Sequence, residues 1–229
     1  MQPTKQPLGT VAYIAQPFLP EPFMWSFAQM LCCSNEYACP PGYYIHPEHA
    51  TGSGQILARN ELVKKMQGNW LLQIDSDHTF DPDLLLRMLA LFESNKLDVL
   101  VGLYHMKEPP HNPVLYQYEN GEYKGILNWG RREDVRLMPI SAAGAGCLLV
   151  RRSVFDRMRQ EFKCDPFDPC PPFKWDDFNF FERCRLLGIQ CWCAPQIEAK
   201  HLAMRAYGSE DYNPNLFEPA SRMMREVRV

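Results

Sequence analysis

The sequence predicts an α/β fold: a mainly parallel sheet flanked by helices, with a small antiparallel portion. Three observations predict it. Short and nearly uninterrupted apolar runs at 70–74 (WLLQI) and 98–104 (DVLVGLY) read as strands buried on both faces. Such runs alternate with stretches of helical periodicity, the pattern of strands joined by helical crossovers. The first run also ends abruptly in Asp75-Ser76-Asp77-His78 and passes into a helix. A turn of that kind lies at the carboxyl edge of a parallel sheet, where α/β proteins present ligands.

Taken in order, residues 8–16 (LGTVAYIAQ) are β-branched and aromatic and form the first strand, which Pro17, Pro20 and Pro22 end in a rigid loop. Residues 23–31 follow as a helix whose Phe23 and Phe27 face the core. Residues 43–45 make a short second strand, and HPEHATGSG after it reads as a polar loop. From 55 to 67, Ile56, Ala58, Leu62, Val63 and Met66 recur at helical spacing, with Arg59 and Asn60 early in the helix and Gly68 closing it. Gly52 and Gly54 stand ahead of that helix but without the lysine of a phosphate-binding P-loop. Asp81 with Pro82 predicts an N-cap and first helical position for LLLRMLALF. Asn120-Gly121 marks an antiparallel hairpin. The small residues of 138–146, Gly144 and Gly146 among them, let a ligand or another chain segment approach the backbone before the strand 147–150. A helix begins near Arg151. The proline-dense run 164–173 reads as a mobile flap, Asp176 and Asp177 as capping the helix 178–187, and 189–193 as a last strand.

At 229 residues the chain has material for one substantial domain, expected over 1–212 with a polar tail at 213–229. Hydrophobic residues at 46% and charged residues at 22% are those of an ordinary globular protein, and a net charge of −3 argues against a generally basic nucleic-acid binder. No apolar run reaches the roughly 20 residues of a membrane span, and the first residues carry no apolar leader. The nine cysteines are irregularly spaced with no C-x-x-C pair, which fits reduced, mostly structural thiols and a cytoplasmic setting, the host cytoplasm if the protein is viral.

Two carboxylates one residue apart at the end of an apolar strand repel each other unless a cation offsets them. Asp75 and Asp77 therefore mark a candidate metal turn, with plain loop carboxylates as the alternative reading. His78 abuts it, either near the ion or facing solvent.

Four stretches, SGQILARNELV, WLLQIDSDHTFDPDLL, AAGAGCLLVRRSVF and WDDFNFFERCRLLGIQCWCAPQIEAKHL, occur in an order that resembles the GT-A glycosyltransferases, and most closely the large family 2 group. The resemblance runs from the first strand to about residue 212. It implies a metal-dependent transferase that moves a sugar from a nucleotide-diphosphate sugar, a UDP-sugar by preference, to an acceptor hydroxyl. The donor half would lie at about 1–104 and the acceptor half at about 105–212. It implies Mn2+ or Mg2+ bound by Asp77 and His201, with Asp75 at the ribose or at the ion through water. Arg59 and Ser76 would lie by the donor, Gln16, Pro17 and Glu48 near the nucleobase, and Gly144 and Gly146 on the acceptor side. Asp177 would be the catalytic base with Asp176 in support. The chain departs from the family in having Asp-Asp where Glu-Asp is usual and Asn179 where another Asp often follows, and those departures bear on the base and on inversion of stereochemistry. Trp129 either stacks on a sugar or packs in the core.

The acceptor is not legible from the sequence beyond a saccharide or a modified DNA base. Arg131-Arg132, Arg151-Arg152 and the basic tail would supply the phosphate-binding face that hydroxymethylated viral DNA requires, or else an ordinary solvated surface. A nucleotidyltransferase ranks low, because QPFLPEPF replaces the glycine-rich loop expected after the first strand. A non-catalytic sugar-nucleotide or carbohydrate binding module is the remaining class.

Overall fold

The computed structural model describes residues 5–52, 54–127 and 137–203. The first half of the chain runs β1 (Gln6–Ala15), α1 (Glu21–Tyr37), β2 (Tyr43–Thr51), α2 (Gln55–Lys65), β3 (Trp70–Asp75), β4 (His78–Thr79), α3 (Leu84–Ser94) and β5 (Val99–Leu103). The second half runs β6 (Leu115–Glu119), β7 (Glu122–Gly125), β8 (Met138–Ile140), β9 (Ala142–Ala143), β10 (Cys147–Arg151), α4 (Arg152–Phe162), α5 (Asp176–Leu186), β11 (Cys191–Glu198) and β12 (Lys200–His201).

Seven strands form one sheet in the order β2-β1-β3-β10-β5-β11-β8. β1 pairs in parallel with β2 and β3, and β5 in parallel with β11, while β10 and β8 run antiparallel to their neighbours. The sheet is therefore mixed and mostly parallel, as expected. Because β10 is reversed, its amino end meets the carboxyl ends of β3 and β5, and the Asp75 N–H donates to the Gly146 carbonyl at 3.0 Å. Alternation of side chains along the strands splits the core in two. Ala12, Leu71, Val101 and Leu148 pack with Leu62, Phe155 and Phe180 on the α2, α4 and α5 side. Val11, Leu72, Leu100 and Leu149 pack with Phe23, Met30, Met88 and Phe92 on the α1 and α3 side. Both edge strands carry a proline, Pro47 in β2 and Pro139 in β8, which discourages further pairing there.

Several local expectations shift. The helix expected at 23–31 runs on to Tyr37, and the loop expected after 45 is strand as far as Thr51, because an edge strand tolerates Pro47. Asp81 does not cap α3. The Leu84 N–H donates to the Asp81 carbonyl at 3.1 Å in a turn that places Pro82 second, and the helix begins two residues later than expected. Asn120 and Gly121 take φ of 53° and 88°, the left-handed pair of a tight hairpin, as the sequence reads.

The proline-dense run 164–173, expected as a mobile flap, is tied down. Phe167 is fully buried and stacks on Phe180. Asn60 accepts from the Phe167 N–H and donates to Asp168, while Arg183 donates to the Asp168 carbonyl. Asn179, one of the departures from the resembled pattern, accepts from the Cys170 N–H at 2.9 Å and donates to the Phe167 carbonyl. The tail, Arg131-Arg132 and Trp129 lie outside the described residues.

Candidate active site

An arginine buried among four acceptors organises the carboxyl edge of the sheet. Arg59 projects from α2 and is 3% exposed. Its Nε pairs with Asp176, its Nη2 with Asp75 Oδ1 at 2.9 Å, and its Nη1 donates to Gln73 Oε1 and the Ala145 carbonyl, each at 3.2 Å. Gln73 faces α2 because it alternates with Leu72 and Ile74 along β3. Burial alone would lower the proton affinity of Arg59, but Asp75 and Asp176 raise it well above its ordinary value. One guanidinium thus joins the β3 turn, 16 residues on, to the first turn of α5, 117 residues on.

Asp75 and Asp77 therefore part company. Asp75, expected at the ribose or at the ion through water, is engaged by Arg59 and lies outside the set of ligating atoms that come within 4.8 Å of one another, which among the described residues comprises Asp77, His78 and His201. His201 arrives through β12: it sits opposite His78 of β4, and the Leu202 N–H donates to the Asp77 carbonyl at 2.7 Å. The His201 Nδ1 donates to the His105 carbonyl at 2.6 Å, which leaves Nε2 turned toward Asp77 Oδ1, 3.8 Å away. Burial lowers the proton affinity of His201, so the ring is neutral and its Nε2 carries a lone pair.

His78 does not face solvent. It is fully buried, stacks on His201 with centroids 4.2 Å apart, and has Nδ1 3.2 Å from Asp77 Oδ1 without hydrogen-bond geometry. Both its ring nitrogens and Asp77 Oδ1 are buried with no hydrogen-bond partner. Orphaned buried polar atoms of this kind are costly and call for an explanation. A divalent cation fits them, since carboxylate oxygen and imidazole nitrogen are ordinary donors for one. Burial would raise the Asp77 carboxyl, yet His78 and Lys107 hold it well below the usual range. Lys107, which the sequence reading missed, places its Nζ 2.5 Å from Asp77 Oδ2.

Asp176 and Asp177 occupy the first turn of α5, and the capping position falls on Trp175, whose side chain makes no cap bond. Asp176 is 7% exposed against Arg59; Asp177 is half-buried, and its Oδ1 accepts from the Phe178 N–H at 2.7 Å. Burial first, and then the charge of Asp176, push the Asp177 carboxyl up to about 6.

These groups share a cleft of about 470 Å³ lined by Arg59, Asp75, Asp77, Lys107, Asp177 and His201 on its polar side, with Met106, Val114, Tyr116, Trp175 and Phe178 opposite. A smaller cleft of about 200 Å³ adjoins it across the acidic turn, lined by Gln16, Phe18, Gln55, Asp75, Ser76 and Asp77 among others. Gln16, Arg59, Asp75, Ser76, Asp77, Asp176, Asp177 and His201 are thus brought together. Pro17, Glu48, Gly144 and Gly146 line neither cleft. Glu48 faces His46, His49 and Lys65 on the outer strand. Gly144 permits a close approach of Tyr104, since a Cβ there would lie 1.6 Å from its Oη, and Gly146 one of His78, whose Cε1 would lie 2.9 Å from such a Cβ. Arg151 and Arg152, expected as part of a phosphate face, are taken up by the carbonyls of Leu97, Gly68 and Met66 and by Glu93.

No curated protein sequence matches. Among solved structures, 283 chains match, and one is the crystal structure of A197 from STIV, which is 14% identical with a TM-score of 0.51 over 85% of this chain and 86% of that one. At such identity the likeness speaks to the fold. The profile of "Glycosyl transferase family 2" matches residues 39–159, just over half of the 229 residues, and takes in Arg59, the acidic turn and Gly146. The chain belongs to glycosyl transferase family 2.

Proposed function

We propose that this glycosyltransferase transfers a sugar from a UDP-sugar to an acceptor hydroxyl with inversion, using a divalent cation at Asp77, His78 and His201 and Asp177 as the base. The observation that carries this reading is one cleft lined by a raised carboxyl, Asp177, by Asp77 with its orphaned Oδ1, and by His201. When bound, the cation would offset charge developing on the leaving diphosphate. Two imidazoles beside one carboxylate favour Mn2+ over Mg2+, which prefers all-oxygen shells.

The chain's own residues supply the rest. The turn around Ser76, whose Asp75 is held by Arg59, orients the diphosphate end of the donor, and Gln16 with Phe18 faces the nucleoside in the smaller cleft. A carboxyl held near 6 is ionised at neutral pH yet more basic than a free aspartate, so Asp177 can accept the acceptor's proton as the new bond forms. Trp175 is 69% exposed at the cleft mouth and offers a flat face for an acceptor sugar ring. Arg59 keeps Asp176 and Asp75 from adding two further unpaired charges near that base.

The test is binding. UDP-, GDP- and dTDP-sugars, with and without Mn2+, are compared by thermal shift; the matching donor should raise the melting temperature by mass action only when the ion is present. His78→Ala and His201→Ala should each weaken Mn2+ binding about 10-fold or more by calorimetry. A panel in which no donor binds under either condition would overturn the reading.

A further inference from the structure

Among the described residues, Lys107 is the lysine or arginine of the site that pairs with Asp77, the carboxylate expected at the ion. It stands in the loop between β5 and β6, where the Met106 N–H donates to the Asn112 carbonyl at 2.9 Å and His105 bridges to Pro113. The same loop supplies the carbonyl that orients His201. The side chain is 36% exposed, lines the larger cleft beside Arg59 and Asp177, and has its ammonium 2.5 Å from Asp77 Oδ2. Arg59, by contrast, is enclosed by four acceptors and cannot leave them. Lys107 is therefore, among the described residues lining the cleft, the positive charge free to move: four methylenes on a fixed backbone, with open volume beside it.

Resting on the reading above, we infer that Lys107 trades partners during the donor cycle, releasing Asp77 to the divalent cation and moving its ammonium onto the diphosphate of the bound nucleotide. Before donor binding it satisfies Asp77 Oδ2 and so opposes entry of the ion. With a cation held at Asp77, the Lys107 ammonium would stand beside a like charge and would be free to pair with the diphosphate of a donor bound in the same cleft. The donor then gains a second cation on its leaving group, and the ion and the diphosphate bind cooperatively because each removes an obstacle to the other. No covalent step is involved.

The consequence has opposite signs for two ligands, which a lysine that merely braced its loop would not produce. Lys107→Met keeps the length and apolar stem but removes the charge. Removing a unit charge this close to each ligand should change each affinity about tenfold. The experiment titrates Mn2+ into wild type, Lys107→Met and Lys107→Arg without nucleotide, following free Mn2+ by electron paramagnetic resonance. It then titrates UDP and GDP into each protein at saturating Mn2+ by calorimetry. The expected result is Mn2+ bound about tenfold tighter by Lys107→Met, with the diphosphate bound about tenfold weaker, and both values moved back toward wild type in Lys107→Arg. Circular dichroism melts confirm that each variant is folded. Mn2+ affinity unchanged or weakened in folded Lys107→Met overturns the inference, as does unchanged diphosphate affinity. Wild type that binds neither Mn2+ nor either diphosphate overturns the reading of the cleft itself, which is a separate result.

Discussion

Replacing Asp177 by Asn should stabilise the fold at neutral pH while removing transfer. The native state raises this carboxyl from 3.8 to about 6, chiefly through burial and the neighbouring charge of Asp176. The native protein thus holds a proton that the unfolded chain has released between those two values, so stability falls as pH rises through that window. Above it, the ionised carboxylate costs about 3 kcal/mol at about 1.4 kcal/mol per tenfold change in proton affinity. Solvent reaching the half-buried group screens part of this, leaving about 2 kcal/mol. Asn keeps the oxygen that accepts the Phe178 N–H and has no charge to desolvate. Urea denaturation should find Asp177→Asn about 2 kcal/mol more stable than wild type at pH 8, with the difference shrinking toward zero near pH 4. The melting temperature at pH 8 should rise by about 5 °C. Transfer should fall about 10²-fold or more with donor affinity near that of wild type. A variant no more stable than wild type at pH 8, or one that still transfers sugar at the wild-type rate, would refute the reasoning.

Other perturbations test the scaffold around that base. Arg59→Met leaves Asp75 and Asp176 without their cation and should cost about 3–5 kcal/mol in urea denaturation; a loss below about 1 kcal/mol would contradict the hub described above. Gly144→Ala sets a methyl against Tyr104 and should cost about 1–3 kcal/mol, part of which Tyr104→Phe recovers in the double variant. Trp175→Ala should leave stability within about 0.5 kcal/mol, since the side chain is largely exposed, while raising KM for a saccharide acceptor in steady-state kinetics. An unchanged KM would remove Trp175 from the acceptor site.

How far the molecule was legible beforehand depended on the range of the interactions concerned. The strand at 70–74, the Asn120-Gly121 hairpin and the helix at 55–67 follow from apolar periodicity and turn chemistry, which act over a few residues. Their ends were less legible. Whether Asp81 or Asp83 stands before α3, and whether β2 stops at Ile45 or continues through Pro47, depends on the neighbouring elements as much as on the residues themselves. The acidic turn Asp75-Ser76-Asp77 declared itself, because charge at the end of an apolar strand needs a reason.

The amino-acid order alone determined the α/β class, the alternation of elements, the position of the acidic turn and the residues from which a site would be drawn. Only the tertiary structure decided how two neighbouring aspartates divide their work. Asp75 is given to Arg59, 16 residues earlier in the chain, and Asp77 to His78, Lys107 and His201. The burial of His78 and the approach of Lys107 leave no local signature, since both depend on β12 pairing with β4 and on the loop after β5 folding back over the turn. Electrostatic partners are chosen by distance in space, and sequence separation says little about that distance once a sheet has brought its carboxyl ends together.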